Sequence, residues 1–357
     1  MSDSGSSHSS KSKAGSPSGR PTLRDVAKVA HVHVSTVSRV LSGQAEAGRI
    51  TAETAQRIEA VAAELGYRRN TVARALRTGR TLVIGMVVPD VANLYQAGIT
   101  RAAGDVLARS EYSLLLASTD DDLEHAQAQV VAMLGSQAEG LLYGVARQDD
   151  AVLQGLADGG TPVVLFNRTG QVPGVSAVVP DDRAGTRLAV EHLLDLGHRN
   201  IVHVGGPEDV SSSIHRLAAF VEMMAAADLH GECRFAERHT EEEGLRITRQ
   251  LLTESPETTA VVAANDRLAL GAIDAIEESG RVCPDDVSVI GFNDMPYADR
   301  FTPPLTTVRI SQYDLGFRAA NLLLKTIEDR DRPVETQLVP AELVVRASTG
   351  PVPPAFS

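Results

Sequence analysis

From Leu82 onward, short runs of β-branched and aliphatic residues alternate with amphipathic stretches of helical period, and this narrows the possible folds most. The first series reads LVIGMVVPD (82–90), a helix over Gln96–Arg109, YSLLLAST (112–119), a helix over Glu124–Leu134, GLLYGVA (140–146), a short helix and PVVLFN (162–167). A second series has a helix over Ala184–Leu196, NIVHVGG (200–206), helices over Ile214–Leu229 and Gly244–Thr253, TAVVAAND (259–266), a helix over Leu268–Glu277 and VSVIGFND (287–294). Strands that alternate with helices imply parallel sheets covered on both faces. Two such series predict an α/β body of two doubly wound lobes, with ligands bound beyond the carboxyl ends of the strands. The residues that end the strand runs are Asp90, Thr119, Asn167, Asn265, Asp266, Asn293 and Asp294, all polar. A cleft between lobes requires polar residues there, but so does helix capping, and the pattern alone leaves both readings open.

The stretch before this body has a different texture. DVAKVAHVHVSTVSRVLSG (25–43) and the residues around it predict an all-α head of three short helices. Leu23–Ala30 places Val26, Ala27 and Ala30 on one face, and a turn through His31-Val32-His33 follows. A second helix begins near Val34, with Val37, Val40 and Leu41 inward. Thr51 opens a third, with Ile58, Val61, Ala62 and Leu65 at helical spacing and Gly66 as its stop. Charge divides along the same line. The chain carries a formal net charge of −12, yet residues 20–80 hold 11 Lys and Arg against 5 Asp and Glu, a net of +6, and the residues beyond Arg80 carry −19. Attraction to phosphates is set locally, so a basic head on an acidic body is suited to nucleic acid at the head alone.

Residues 1–20 are rich in Ser, Gly and Lys and predict a disordered tail. YRRNTVARALRTGRT (67–81) reads as a polar, basic linker with one short helical run, Val72–Leu76, capped by Asn70. No apolar run reaches the roughly 18 residues needed to span a bilayer, and the N-terminus has no apolar signal core, so a cytoplasmic protein without membrane contact is expected. Cys233 and Cys283 show no metal or redox spacing and read as reduced thiols.

Taken in order, TLRDVAKVAHVHVSTVSRVLSG, ITAETAQRIEAVAAELGY, NTVARALRTGRT, IGMVVPD, AEGLLYG, LGHRNIVHVGG, RLAAF, AANDRLALGAIDAI, PDDVSVIGFND and PPLTTVR resemble the LacI/GalR family of bacterial transcription repressors from about Pro21 to Gly350. The resemblance implies a helix-turn-helix domain over 21–67, a hinge over 68–81, and an effector-binding and dimerisation domain over 82–350. Within the last, it implies an N-lobe of about 82–180 and 312–339 and a C-lobe of about 181–309 and 340–350, with a short tail at 351–357. It implies double-stranded operator DNA and a small-molecule effector as partners, and a homodimer. The proline-rich end PVPPAFS, which lacks heptads, also favours a dimer over a tetramer.

By position in the motif, Val34, Ser35 and Arg39 would read bases, Thr36, Ser38 and Asn70 would hold phosphates, and Leu76 would enter the minor groove beside its dimer mate. The chemistry fits. Val34 offers apolar contact to a thymine methyl, Ser35 donates or accepts, and Arg39 matches the two acceptors of guanine. Leu76 as a small core residue of the linker is the other reading. The turn departs from the family, which has Gly where His31 stands and Ser where His33 stands. Gly suits a left-handed turn better than His, and loss of a Ser cap typically costs about 1 kcal/mol. The two histidines are either tolerated turn residues or, when protonated below about pH 6.5, extra phosphate contacts.

The effector positions implied by the resemblance are Tyr95, Asn167, Arg216, His239, Asn265 and Asn293. Asn167 and Asn293 stand where sugar-binding relatives often carry Asp. Amides beside Arg168 and Arg216 would make the cleft less negative and point to an anionic sugar derivative; a neutral sugar or nucleobase is the alternative. No cofactor, metal or catalytic residue is expected. HVGGPEDV lacks the spaced glycines of a dinucleotide fingerprint, no GxxxxGK[ST] run occurs, and His198, His203 and His215 stand without a nucleophile. A periplasmic sugar-binding protein would share the lobes but not the basic head.

Overall fold

The computed structural model describes residues 21–41, 49–67 and 79–353. The tail, the linker helix, Asn70 and Leu76 lie outside them. The chain divides into two compact units, Met1–Gly79 and Arg80–Ser357.

The first unit holds α1 (Leu23–Val29), α2 (Val34–Leu41) and α3 (Ala52–Glu64). Thr22 and Asp25 close a reciprocal capping box at the start of α1, and Thr51 caps α3 by accepting from the Thr54 amide. The core is Val26, Ala27, Ala30, Val37, Val40, Ile58 and Ala62, with Leu23, Val32, Leu41, Val61 and Leu65 packed around it. These are small aliphatic side chains on three short helices, so burial per residue is modest. His31 adopts φ 52, the left-handed conformation that the turn requires.

The second unit contains two six-stranded sheets. The first is built from β1 (Val83–Val88), β2 (Ser113–Ser118), β3 (Gly140–Tyr143), β4 (Val163–Phe166), β5 (Ser176–Pro180) and a late strand, β11 (Thr336–Val339), in the order β11-β5-β4-β3-β1-β2. All its neighbouring pairs are parallel. Helices α4 (Leu94–Arg109), α5 (Leu123–Gly135) and α6 (Ala151–Asp158) link the early strands. The second sheet uses β6 (Ile201–Gly205), β7 (Glu232–Phe235), β8 (Ala260–Ala263), β9 (Ser288–Asn293), β10 (Thr306–Ile310) and β12 (Ala341–Val344), ordered β12-β10-β9-β8-β6-β7. Only β12 runs antiparallel to its neighbour. Its helices are α7 (Asp182–Asp195), α8 (Ser211–Ala226), α9 (Glu241–Glu254) and α10 (Asp266–Glu278), while α11 (Gln312–Glu328) packs along α4 in the first lobe.

Periodicity alone does not reveal β5, β7, β11 or β12, which are four or five residues long and, apart from β5, only partly buried. The chain passes between the sheets from β5 into α7, from β10 into α11, and from β11 into β12 across Pro340. These crossings tie the lobes at one edge and leave the carboxyl ends of the strands facing each other.

Candidate functional site

In the head, His33 is the N-cap of α2. Its carbonyl accepts from the amides of Thr36 and Val37, and its Nδ1 accepts from the Ser35 amide at 3.3 Å and pairs with Ser35 Oγ at 2.8 Å. This corrects the expectation that replacing Ser leaves the helix uncapped, because an imidazole nitrogen supplies the missing acceptor. Ser35 and Arg39 are exposed and four residues apart, on one face of α2. Thr36 and Ser38 are half-buried beside them. Val34 is half-buried too, packed against the head core rather than standing free, which reduces what it offers to a base edge.

In the second unit, a polar cleft lies at the carboxyl ends of the strands. Its wall includes all six residues implied by the resemblance: Tyr95, Asn167, Arg216, His239, Asn265 and Asn293. The strand-end residues separate into two groups. Asp90, Asn167, Asn265 and Asn293 line the cleft. Thr119 is buried under β1, hydrogen-bonded to the Val88 carbonyl. Asp266 is buried and accepts from the Met295 amide and the Thr307 hydroxyl, and Asp294 pairs with Arg309 and Arg346 at 2.7 Å each.

The left-handed backbone recurs around the cleft, at Asn167 (φ 64), Asn293 (φ 112), Asp120 (φ 54) and Asp121 (φ 60). Asn and Asp tolerate this region better than other side chains that carry a Cβ, so loop geometry itself favours these residue types. Gly206 has a steric reason as well: a Cβ there would collide with His239 and Ser213. Gly206 of HVGG therefore makes room beside His239 at the cleft.

Three of the four arginines that line the cleft are matched by carboxylates, while Arg238 is exposed and donates to the Asp120 carbonyl. Arg216 lies between Asp182, at 2.8 Å, and the Ala264 carbonyl, with its guanidinium carbon 3.6 Å from the centre of the Phe292 ring. Arg168 bonds Asp121 at 2.6 Å, and Arg267 spans Glu241 at 2.7 Å and Asp90 at 3.3 Å. Burial pushes the Asp121 carboxyl up, but the charge and hydrogen bond of Arg168 outweigh it and hold the group down at about 2. Burial beside Arg168 keeps the His239 imidazole neutral, with its pKa lowered to about 3. The sequence argument for an anionic ligand assumed that Arg168 and Arg216 were available, and both already have carboxylate partners. Sequence reasoning missed those carboxylates, because Asp121 and Asp182 lie 47 and 34 residues from the arginines they meet. Tyr95 donates to Asn167 Oδ1 at 3.2 Å, and Asn265 caps α10 through the Leu268 amide.

A small head whose capped second helix presents Ser35 and Arg39, joined in one chain to a two-lobed body with a polar cleft, defines a regulator of transcription controlled by a small molecule. Residues 22–70 match bacterial regulatory proteins, lacI family, and residues 190–349 match the periplasmic binding protein-like domain. The ribose operon repressor of Halalkalibacterium halodurans is 32% identical over 92% of this chain and 97% of its own length. The chain belongs to the lacI family of bacterial regulatory proteins. Among solved structures, the lac repressor dimer bound to operator and the anti-inducer ONPF superposes with a TM-score of 0.81 at 29% identity, covering 93% of this chain and all of that one. A complex of the transcriptional regulator CelR with cellobiose gives 0.69 at 29% identity, covering 92% and 100%.

Proposed function

We propose that this protein is a homodimeric repressor whose affinity for a palindromic operator is set by a neutral sugar bound between the lobes. The head reads DNA through α2. Arg39 pairs with a guanine edge, Ser35 contacts a neighbouring base, and Val34 adds limited apolar contact. Thr36 and Ser38, with Asn70, hold the phosphates, and Leu76 wedges the central step of the minor groove. Only exposed side chains reach base edges, and the exposure of Ser35 and Arg39 supports their roles.

The observation that carries the effector reading is the charge balance of the cleft. Arg168, Arg216 and Arg267 are each paired with carboxylates. A wall of amides and hydroxyls, in which three of four arginines are neutralised by carboxylates, suits a polyhydroxylated neutral ligand, and the cellobiose complex of CelR is in keeping with that class. An added anion would face Asp90, Asp120 and Asp121 as well as the arginines. Dimer formation is supported by β2, an edge strand whose Leu115 and Leu116 are 38% and 41% exposed. Long apolar edges left uncovered invite pairing with another chain. A sugar that favours one arrangement of the lobes shifts the DNA equilibrium by its differential affinity, and release from the operator is the expected direction.

The test is selection of bound duplexes from a random pool by the full-length protein, repeated with a panel of sugars and their aldonic acids. A palindrome should be enriched and lost on addition of a neutral sugar. Arg39→Ala should cost about 1–3 kcal/mol of discrimination at one symmetric pair of positions. Absence of any preferred palindrome, with or without sugars, would overturn the proposal.

A further inference from the structure

One carboxylate at the amino end of the first sheet holds the segment with which the body begins, Arg80 to Leu82. Glu139, just before β3, accepts through Oε2 from Arg80 Nε at 3.2 Å, Arg80 Nη2 at 3.1 Å and the Tyr112 hydroxyl at 3.1 Å. Its Oε1 accepts from the Leu82 amide at 2.7 Å, and the Thr81 hydroxyl donates to the Gln137 carbonyl at 2.6 Å. Arg80 also donates to the Tyr112 hydroxyl and lies over that ring, 5.6 Å from its centre. Because β3 and β2 flank β1, the entry to β1 is held from both sides. Leu82 shows this most plainly: its amide goes to Glu139, and its carbonyl accepts from the Ser113 amide at 2.8 Å. Between these bonds Leu82 takes left-handed backbone, φ 55, a conformation that a residue with a Cβ resists. Such strain persists only where the surroundings over-determine it, and it gathers at clamps and switch regions. The sheet does not require it, since the ladder between β1 and β3 begins later, at Ile84 and Gly140.

We infer that Glu139 is a positioning residue for operator binding: it sets the direction in which each hinge leaves its body, and with it the separation at which a dimer presents its two heads. This rests on the proposed reading of a homodimer on a palindrome. Every residue of a free chain has two soft torsions, so an unfastened exit would let the hinge take any direction. Here three consecutive residues, Arg80, Thr81 and Leu82, are each bonded to the stretch 137–139. The chain turns through left-handed backbone at Gly79, φ 69, and again at Leu82, so both bends bracket the fastened stretch. The residue type at 139 follows from the same geometry. A carboxylate offers two acceptor oxygens, one for the guanidinium and phenol and one for the Leu82 amide; a carboxamide offers one, and its NH2 would face the donors of Arg80. An arginine placed here only to attract phosphates would gain from standing apart from acids, yet Arg80 is tied to a carboxylate of its own body.

The experiment uses the full-length protein and three duplexes: the palindrome it selects from a random pool, and the same palindrome with one base pair inserted at, or removed from, its centre. One base pair changes the half-site separation by about 3.4 Å and the relative rotation by about 35°. Affinities are measured for the wild type, Glu139→Gln and Leu82→Gly, and melting curves check that each is folded. Glycine keeps the left-handed backbone and every side-chain partner but loosens the chain, so it keeps the test open should Glu139→Gln fail to fold. The wild type should bind both altered duplexes about tenfold more weakly than the palindrome, whereas Glu139→Gln should lose no more than about threefold, with Leu82→Gly between them. Ratios between duplexes cancel the general attraction to DNA gained by removing a negative charge. A merely structural role would lower the melting temperature and weaken all three duplexes alike. If both variants discriminate the duplexes as the wild type does, or if the wild type itself tolerates altered spacing, the inference fails while the repressor reading stands. If the wild type selects no palindrome, that reading fails and the inference with it.

Discussion

Arg147 in the first lobe grips Asp209 in the second through both carboxylate oxygens, at 2.6 and 2.7 Å. The neighbouring Gln148 amide donates to the Asp209 carbonyl at 3.0 Å, and Arg267 reaches across the cleft to Asp90 at 3.3 Å. The lobes are thus held together by the protein's own charges as well as by any ligand. Asp209 is about half exposed, which limits the contribution to roughly 0.5–1 kcal/mol. Asp209→Asn or Arg147→Met should weaken effector binding about two- to fivefold at low salt, with the difference shrinking at high salt. Calorimetric titrations at two ionic strengths measure this. Equal affinities for variant and wild type at low salt would show that the pair does not hold the lobes.

The turn of the head makes a second prediction. His31 holds a left-handed conformation and His33 caps α2 through a ring nitrogen. His31→Gly removes a strained Cβ and should stabilise the head by up to about 1 kcal/mol. His33→Ala should cost about 1 kcal/mol of helix stability, while His33→Ser keeps a capping oxygen and should be close to neutral. Thermal unfolding of the head, followed by helical circular dichroism in the three variants, checks the order. A His33→Ala variant as stable as wild type would show that the cap carries no energy.

Two buried groups pull stability in opposite directions with pH. His203 is fully buried; its Nδ1 donates to the Val262 carbonyl, and burial lowers its pKa to about 4. The unfolded chain takes up this proton near pH 6.5, so the stabilisation is full above that pH and is lost as pH falls toward 4. Burial raises Asp266 to about 7. The unfolded carboxyl ionises near pH 4, so this contribution is full below that pH and is lost as pH rises to 7. Each amounts to roughly 2–4 kcal/mol across the same window, and they largely offset each other. His203→Gln should make the second unit relatively more stable toward acid. Asp266→Asn, which can keep both hydrogen bonds once the Thr307 hydroxyl turns round, should make it relatively less stable. Denaturant midpoints between pH 4 and 7 would settle it, and two variants with parallel pH profiles would contradict both assignments.

The exposed edge of the first sheet gives a prediction about assembly. Leu115 and Leu116 on β2 leave apolar surface uncovered, and Val91, Leu94 and Leu123 are exposed as well. Leu116→Lys places a charge on that edge and should shift the protein toward monomer, with a fall in operator affinity and little change in sugar affinity. Sedimentation of wild type and variant at matched concentration tests it. An unchanged dimer would place the contact elsewhere.

What the residues determine locally could be read without coordinates. Alternating β-branched runs and amphipathic stretches are consequences of period, and they define parallel sheets wherever the strands are buried on both faces, as β1, β3, β4, β8 and β9 largely are. Thr51 before a helical run and a histidine at a left-handed turn are equally local, and a motif resemblance located the six cleft positions. Tertiary structure decided the rest. Whether Arg216 faces a ligand or Asp182, whether Gln96 is a wetted helix residue or a buried acceptor, and whether Asn265 or Asp266 reaches the cleft depend on groups that meet only after the chain has crossed between sheets. Periodicity describes which face of an element is apolar; it contains no information about which distant charge lies opposite, and in this protein those distant partners decide what the cleft can accept.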